Sequence, residues 1–169
     1  AGPAPLQQRR STSEIARSAL GFTAFIRGGR VYGAGVLLDQ AGHVLTCRHV
    51  IEGLEAITVS FSDGSAFPAK LVDSDAVLDI ALLKIESDRV SELTPASITS
   101  VQLGDDVLAI GAPRKMAFSL SRGMVSYVGR PFDRIYYLQT DLAMNGGSSG
   151  GPVMYARGEV VALSSFVVR

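Results

Sequence analysis

Eight residues near the end of the chain, Asn145-Gly146-Gly147-Ser148-Ser149-Gly150-Gly151-Pro152, constrain the fold more than any other stretch. Four glycines and a proline in so short a run make a tight turn, because glycine reaches positive φ freely and proline fixes its own φ. Apolar, strand-like runs bracket it, Ile135 to Leu138 before and Val160 to Leu163 after. Successive amides in such a turn can point into one concavity and hold an anion. A serine hydroxyl beside that concavity is half of an acyl-transfer site, a nucleophile next to donors for its oxyanion. The other half is a general base with an acid to orient it, and the chain offers His49 and Asp79.

A chain of 169 residues, 47% hydrophobic, can bury one core or two smaller ones that share a cleft. Lys+Arg and Asp+Glu both number 16 and form no long run of one sign, which argues against nucleic acid or an acidic membrane surface as partner. The single cysteine, Cys47, has no internal disulfide partner, so packing must hold the fold. No apolar run approaches the roughly 18 residues that a membrane span needs. Residues 1–10, Ala-Gly-Pro-Ala-Pro and then a Gln/Arg-rich stretch, read as a flexible tail.

From there the pattern is one of short strands. Ser11 or Ser13 can cap a short helix ending at Leu20, with Glu14 in its first turn. Strands are predicted at Phe22 to Ile26, Val31 to Leu38, His43 to Thr46, Ile57 to Phe61, Ala66 to Val72 and Ile80 to Ile85. Gly33 and Gly35 inside the second of these suggest a close backbone approach. Residues 86–100 are polar and divide the chain into a first half, 11–98, with His49 and Asp79, and a second, 99–169, with Ser149. The second half repeats the style with strands at Asp106 to Gly111, Phe118 to Val128, Arg134 to Gln139, Val153 to Tyr155 and Glu159 to Val168. Closely spaced strands and turn signals predict an all-β barrel or sandwich.

Asp79 opens the apolar run Ile80 to Ile85, and a carboxylate at the mouth of a buried strand needs a hydrogen-bond donor. An imidazole N–H would supply one, and Asp79 capping its own strand end is the plainer alternative. Likewise Ser149 alone could be a turn serine and His49 a satisfied core or surface histidine. His43 reads as a hairpin residue, Cys47 as packing, and Glu52, Glu55, Asp73 and Asp75 as solvated; no His/Cys/carboxylate cluster has metal-ligand spacing, and no cofactor motif is present. The chain order His, Asp, Ser is that of the chymotrypsin-type triad.

The segments Gly33 to Asp39, Gly42 to Thr46 with His49-Val50, Asp79 to Ile85, Ile110 to Pro113, Gly123 to Ser126, Leu138 to Asp141, Gly147 to Pro152 and Gly158 to Val161 resemble the protease domain of the HtrA (Deg) family, in order and spacing, over about residues 22–168. The resemblance implies two antiparallel six-stranded β-barrels of the trypsin/chymotrypsin type with a short N-terminal helix, the last strand of the second barrel not being visible before Arg169. It implies a serine endopeptidase acting on extended or unfolded polypeptide. Ser149 would be the nucleophile, His49 the base and Asp79 its orienting acid. The amides of Gly147 and Ser149 would form the oxyanion hole, with Ser148 holding the turn. Substrate would be bound by Ala143, Met144 and Asn145 on one side and by Leu163, Ser164, Ser165 and Phe166 on the other, the main chain of Ser164 to Phe166 pairing with it as an added strand. Ala143 stands where trypsin-like members carry the carboxylate that selects Arg or Lys, so a small or medium aliphatic P1 residue is expected.

Family members are often extracytoplasmic trimers assembled through N-terminal segments and carry PDZ domains after the protease domain. No PDZ domain is visible in this sequence, and the tail has no aromatic anchor before Phe22. The loop from Gly129 to Arg134 is short for the segment that relays regulatory signals in the family. A catalytically silent trypsin-fold module that binds polypeptide, and an esterase-like hydrolase with the same triad, are the other functions this sequence allows.

Overall fold

The computed structural model describes residues 10–112 and 118–165. The first element is the helix α1, Thr12–Leu20, which starts at Ser11 and not at Ser13. Ser11 Oγ accepts from the Glu14 amide at 3.2 Å while the Glu14 carboxylate accepts from the Ser11 amide at 2.7 Å. This reciprocal box satisfies two donors that the first turn would otherwise leave without partners, and it holds the Glu14 carboxyl below its ordinary range. Ile15 and Ala19, one turn apart, bury against the barrel that follows.

That barrel is closed by six antiparallel strands: β1 Thr23–Gly28, β2 Val31–Leu37, β3 His43–Cys47, β4 Ile57–Ser60, β5 Ala66–Asp75 and β6 Ile80–Ile85, in the order β1-β2-β3-β6-β5-β4. The period-2 pattern of a strand shows most clearly in β6, where Ala81, Leu83 and Ile85 face inward and Ile80, Leu82 and Lys84 are half-exposed. Phe22, Ile26, Leu37, Val44, Val59, Leu83 and Ile85 fill the interior. A four-residue helix, α2, Arg48–Ile51, follows β3 directly.

The second unit has five strands: β7 Asp106–Gly111, β8 Ser119–Phe132, β9 Ile135–Thr140, β10 Pro152–Tyr155 and β11 Val160–Leu163. Their order is β11-β10-β7-β8-β9, a curled half-barrel. The first expected barrel is thus complete, whereas the sixth strand of the second has no counterpart among the described residues. The two units do not have sealed cores: Leu108, Ile110 and Met154 of the second pack into the cluster that fills the first. No helix among the described residues is long and apolar enough to cross a membrane.

The strand expected at Glu159 to Val168 spans Val160–Leu163 among the described residues, and β5 runs past Val72 to Asp75; the larger departure is at β8. Gly129 and Pro131 read as the start of a loop, yet β8 runs on to Phe132 and pairs with β9 as far as Phe132↔Ile135. Register shifts between Val125 and Arg130 absorb Gly129, and Arg130 lies over the Tyr127 ring at 4.0 Å. The hairpin then closes on two residues, Asp133 and Arg134, both at positive φ (47° and 68°), the turn geometry whose twist matches that of paired strands.

Arg89, after β6, pins its loop to the barrel mouth. It pairs with Asp63, donates to Ser65 Oγ at 3.1 Å and to the Gly21 carbonyl at 3.3 Å, and covers the Phe61 ring at 4.0 Å. Hydrogen bonds from Ser65, then the Arg89 guanidinium, hold the Asp63 carboxyl far below the ordinary carboxylate range. A lowered folded-state pKa stabilises the fold fully above the unfolded value, near pH 4, and that contribution is lost as pH falls through the lowered value. Melting temperature followed downward from pH 5 should therefore fall, and Asp63→Asn should melt lower than the parent at pH 7 and show a shallower acid limb. Parallel curves for the two proteins would contradict this assignment.

Candidate active site

The junction of β3 and α2 meets the start of β6. The ladder pairs Cys47 with Ile80, which puts Asp79 beside the first turn of α2. Arg48 donates its amide to the Asp79 carbonyl at 3.0 Å, and His49 donates its own to Asp79 Oδ1 at 2.9 Å. The ring completes the grip, with His49 Nδ1 2.6 Å from Asp79 Oδ2. A carboxylate oxygen accepts, so Nδ1 carries the hydrogen, and in the neutral ring Nε2 is left as the acceptor. The His49 side chain is 46% exposed and that of Asp79 28%, so the imidazole stays open to an incoming group while the acid is screened behind it. Asp79 adopts φ 55° to make these contacts, a left-handed conformation that aspartate tolerates better than most side chains do. Three of its groups bond across to α2, which over-determines the strained conformation.

Ser149 reaches this neighbourhood because the glycine turn is docked on β2. The Ala34 amide donates to the Ser149 carbonyl at 2.8 Å. Gly33, next to it, lies so close to α2 that a β-carbon there would sit 2.5 Å from Val50 Cγ1 and 3.1 Å from the Ser149 carbonyl. Gly150 has φ 88°, and a β-carbon on it would run into the Ala34 carbonyl. Glycine at both positions thus lets the turn of the second unit close onto the strand of the first, one residue from His49. Within the turn, Ser148 donates to the Asn145 carbonyl at 3.0 Å and Gly151 to the Ser148 carbonyl at 3.0 Å. The amides of Gly147 and Ser149 have no acceptor among the described residues. They are the pair expected to serve an oxyanion.

The serine hydroxyl itself is turned aside. Ser149 Oγ donates to the Ser165 carbonyl at 2.9 Å, and no hydrogen bond links it to His49. The structure therefore brings His49 and Asp79 into direct contact and holds Ser149 on a neighbouring turn with its proton committed elsewhere. Ser164, just before, is tied back into the turn: its amide donates to Gly151 and its carbonyl accepts from Gly150 at 2.9 and 2.6 Å.

The expected substrate residues divide between two hollows. Ala143, Met144 and Asn145 line a cavity of about 150 Å³ with Ser148 and Ser164. Leu163, Ser164 and Ser165 line a larger cleft of about 690 Å³ between β9 and β11, together with Met144 and Tyr137. Phe166 lies outside the described residues.

Sequence reading gave no role to two residues that feel the charge of Asp79. Tyr137, from β9, lines the larger cleft, and its phenol pKa is pushed up by burial first and then by the charges of Asp79, Asp133 and Cys47. Its only sequence signal was membership of an apolar run. Cys47 is buried and donates to the Ser164 carbonyl at 3.4 Å. Burial, and next the charge of Asp79, push its thiol up to about 12. It is packed as expected, but against the acid: one ligand atom each from Cys47, His49 and Asp79 lies within 4.8 Å of the other two. Spacing along the chain gave no sign of this cluster, because Asp79 joins it from a different strand.

Comparison with known proteins sets this geometry in context. A family profile described as a trypsin-like peptidase domain matches residues 33–163. The serine endoprotease DegS of Haemophilus influenzae is 37% identical over 141 residues, covering 80% of this chain and 42% of the relative. A "Probable periplasmic serine endoprotease DegP-like" from Halomonas elongata is 37% identical over 139 residues, covering 80% of this chain and 29% of the relative. Among solved structures, the serine endoprotease from Yersinia pestis superposes with a TM-score of 0.85 at 32% identity, over 94% of this chain and 58% of that one. The match covers 42% and 29% of the length of these two curated relatives.

Proposed function

Since the chain belongs to the trypsin-like peptidase domain family, we propose that it is a serine endopeptidase that cleaves extended or unfolded polypeptide with Ser149, His49 and Asp79. The observation that carries this reading is the two-point grip of Asp79 on His49, at 2.6 and 2.9 Å, beside a turn with two unengaged amides. His49 Nε2, its lone pair free, takes the Ser149 proton as Oγ bonds to the scissile carbonyl carbon. The carbonyl electrons move onto the oxygen, which the Gly147 and Ser149 amides receive. His49 then passes its proton to the leaving amine, leaving an acyl-enzyme that water cleaves by the same steps in reverse roles. Asp79 stabilises the imidazolium and stays ionised throughout.

Substrate pairing would also release the nucleophile. Ser164 turns both its main-chain groups inward, so in extended backbone Ser165 presents its own outward, toward a strand added at this edge. Such a strand competes for the Ser165 carbonyl that now holds Ser149 Oγ. An occupied groove thereby frees the hydroxyl for His49. Ala143 puts no charge at its position, so cleavage after small or medium aliphatic residues follows. By similarity to its DegP-like relative, an extracytoplasmic location is part of the proposal.

The same Ser149–Ser165 bond favours a second reading, a silent module that binds polypeptide without cutting it. A labelled fluorophosphonate and a peptide library separate the two. Labelling at Ser149, stimulated by a bound peptide, with cleavage after Val, Ala, Ile or Leu supports the endopeptidase. Peptide binding without labelling establishes the silent module, and cleavage mainly after Lys or Arg removes the P1 assignment.

A further inference from the structure

We propose that Cys47, His49 and Asp79 form a binding site for a thiophilic divalent cation of the Zn2+ class, and that the bound ion switches the dyad off. The binding stands on geometry alone; the inhibition rests on the endopeptidase reading above. Three chemically different donors, a thiol sulfur, a ring nitrogen and a carboxylate oxygen, lie within 4.8 Å of one another. Zinc bonds of about 2.0–2.3 Å to such atoms set neighbouring ligands roughly 3.5 Å apart, so small side-chain rotations seat an ion among them. Their relative placement is fixed by backbone, since Cys47 pairs with Ile80 in the β3–β6 ladder and the Arg48 and His49 amides are both bonded to Asp79. Solvent reaches the site past His49, and water can complete the tetrahedron there. Sulfur and imidazole donors favour Zn2+ and Cd2+ over Mg2+ and Ca2+.

The protons balance as follows. The ion bonds to Cys47 Sγ, His49 Nδ1 and an Asp79 oxygen. The thiol proton leaves to solvent, giving up the Ser164 carbonyl. The Nδ1 hydrogen, now donated to Asp79, is displaced and Nε2 takes one up, so one proton is released for each ion bound. With Nε2 protonated, His49 has no lone pair for Ser149. The bound ion therefore acts on the base and leaves the serine untouched.

The test uses the full chain and two readouts. Cd2+ added to the protein and to its Ser149→Ala variant should give the ultraviolet thiolate-to-cadmium charge-transfer band at one ion per chain. His49→Ala and Cys47→Ala should lose it. Zn2+ should slow fluorophosphonate labelling, with reversal by chelator and no effect of Mg2+. Loss of one ligand should raise the half-inhibiting Zn2+ concentration about tenfold or more in Cys47→Ala, measured against its own metal-free rate. Should Cys47→Ala fail to fold, Cys47→Ser takes its place in both measurements. No band with the parent protein, a band surviving His49→Ala, or equal inhibition of the cysteine variant overturns the proposal. A protein that binds Cd2+ through these residues but labels with no fluorophosphonate keeps the metal site and removes the endopeptidase reading instead.

Discussion

Ser149→Ala is expected to lower kcat for an unfolded polypeptide by about 10⁵ to 10⁶-fold, since removing the nucleophile of such a triad costs nearly as much as removing all of it. The loss should fall on kcat, with KM unchanged or lowered, because Leu163 and Ser164 are untouched and the Ser165 carbonyl is released from Ser149 Oγ. Stability should change little. Among the described residues Ser149 Oγ makes one hydrogen bond, to the Ser165 carbonyl, and a half-exposed neutral bond of this kind contributes about 1 kcal/mol. The measurement is initial rate on a denatured protein substrate, with thermal melting of both proteins alongside. Cleavage by the alanine variant within tenfold of the parent would assign the nucleophile elsewhere. Because the hydroxyl now points at Ser165, a second signature follows from the same geometry: adding a non-cleavable peptide should speed labelling of Ser149 in the parent until it blocks the groove.

The next largest effect is expected at Asp79. Asp79→Asn keeps a side chain that tolerates φ 55° and can still accept one hydrogen bond. It removes the charge that stabilises the imidazolium and lets the amide NH2 face Nδ1, which favours the wrong tautomer. A fall in kcat of about 10⁴-fold is expected on that ground, with the melting temperature close to that of the parent. Asp79→Ala should be worse in both respects. Alanine in the left-handed region costs about 1–2 kcal/mol, and the His49 amide loses its acceptor at Oδ1. Equal activity of Asp79→Asn and the parent would reduce Asp79 to a strand cap, the plainer role that its position also allows. Asp39 and His43 offer an internal control. They form a similar pair, Nδ1 to Oδ2 at 2.8 Å and amide to Oδ1 at 3.1 Å, on the hairpin that joins β2 to β3. Asp39→Asn should leave cleavage unchanged.

The strands of the first barrel announce themselves because an alternating run such as Ile80–Ile85 has one face for the core and one for water, and its bounds were read without error. The turn at Asn145–Pro152 was legible for a local reason too, since only glycine reaches the φ values of Gly147 and Gly150 without strain. The β8–β9 hairpin was misread because Gly129 and Pro131 carry the local signature of a loop, while the pairing that overrides it belongs to a strand farther along. Tyr137 and the underside of Cys47 were not legible at all. Cys47 meets Asp79 because β3 pairs with β6, and Tyr137 comes from a sheet of the other unit; no local periodicity encodes either placement.

Taken alone, the sequence determined the class of fold, the short helix and its capping acid, the glycine turn and the three residues most suited to acyl transfer. Those are properties of single residues and near neighbours along the chain, which hydrophobic period and backbone preference write directly. Tertiary structure decided that β2 clamps the turn through Ala34, that Asp79 grips His49 at two points, that the Ser149 hydroxyl rests on Ser165, and that a thiol sits behind the acid. Each depends on contacts between segments at least 16 residues apart except those within the dyad's own neighbourhood at Cys47 and His49, and only the closing of the barrel and the half-barrel fixes which of them come within reach.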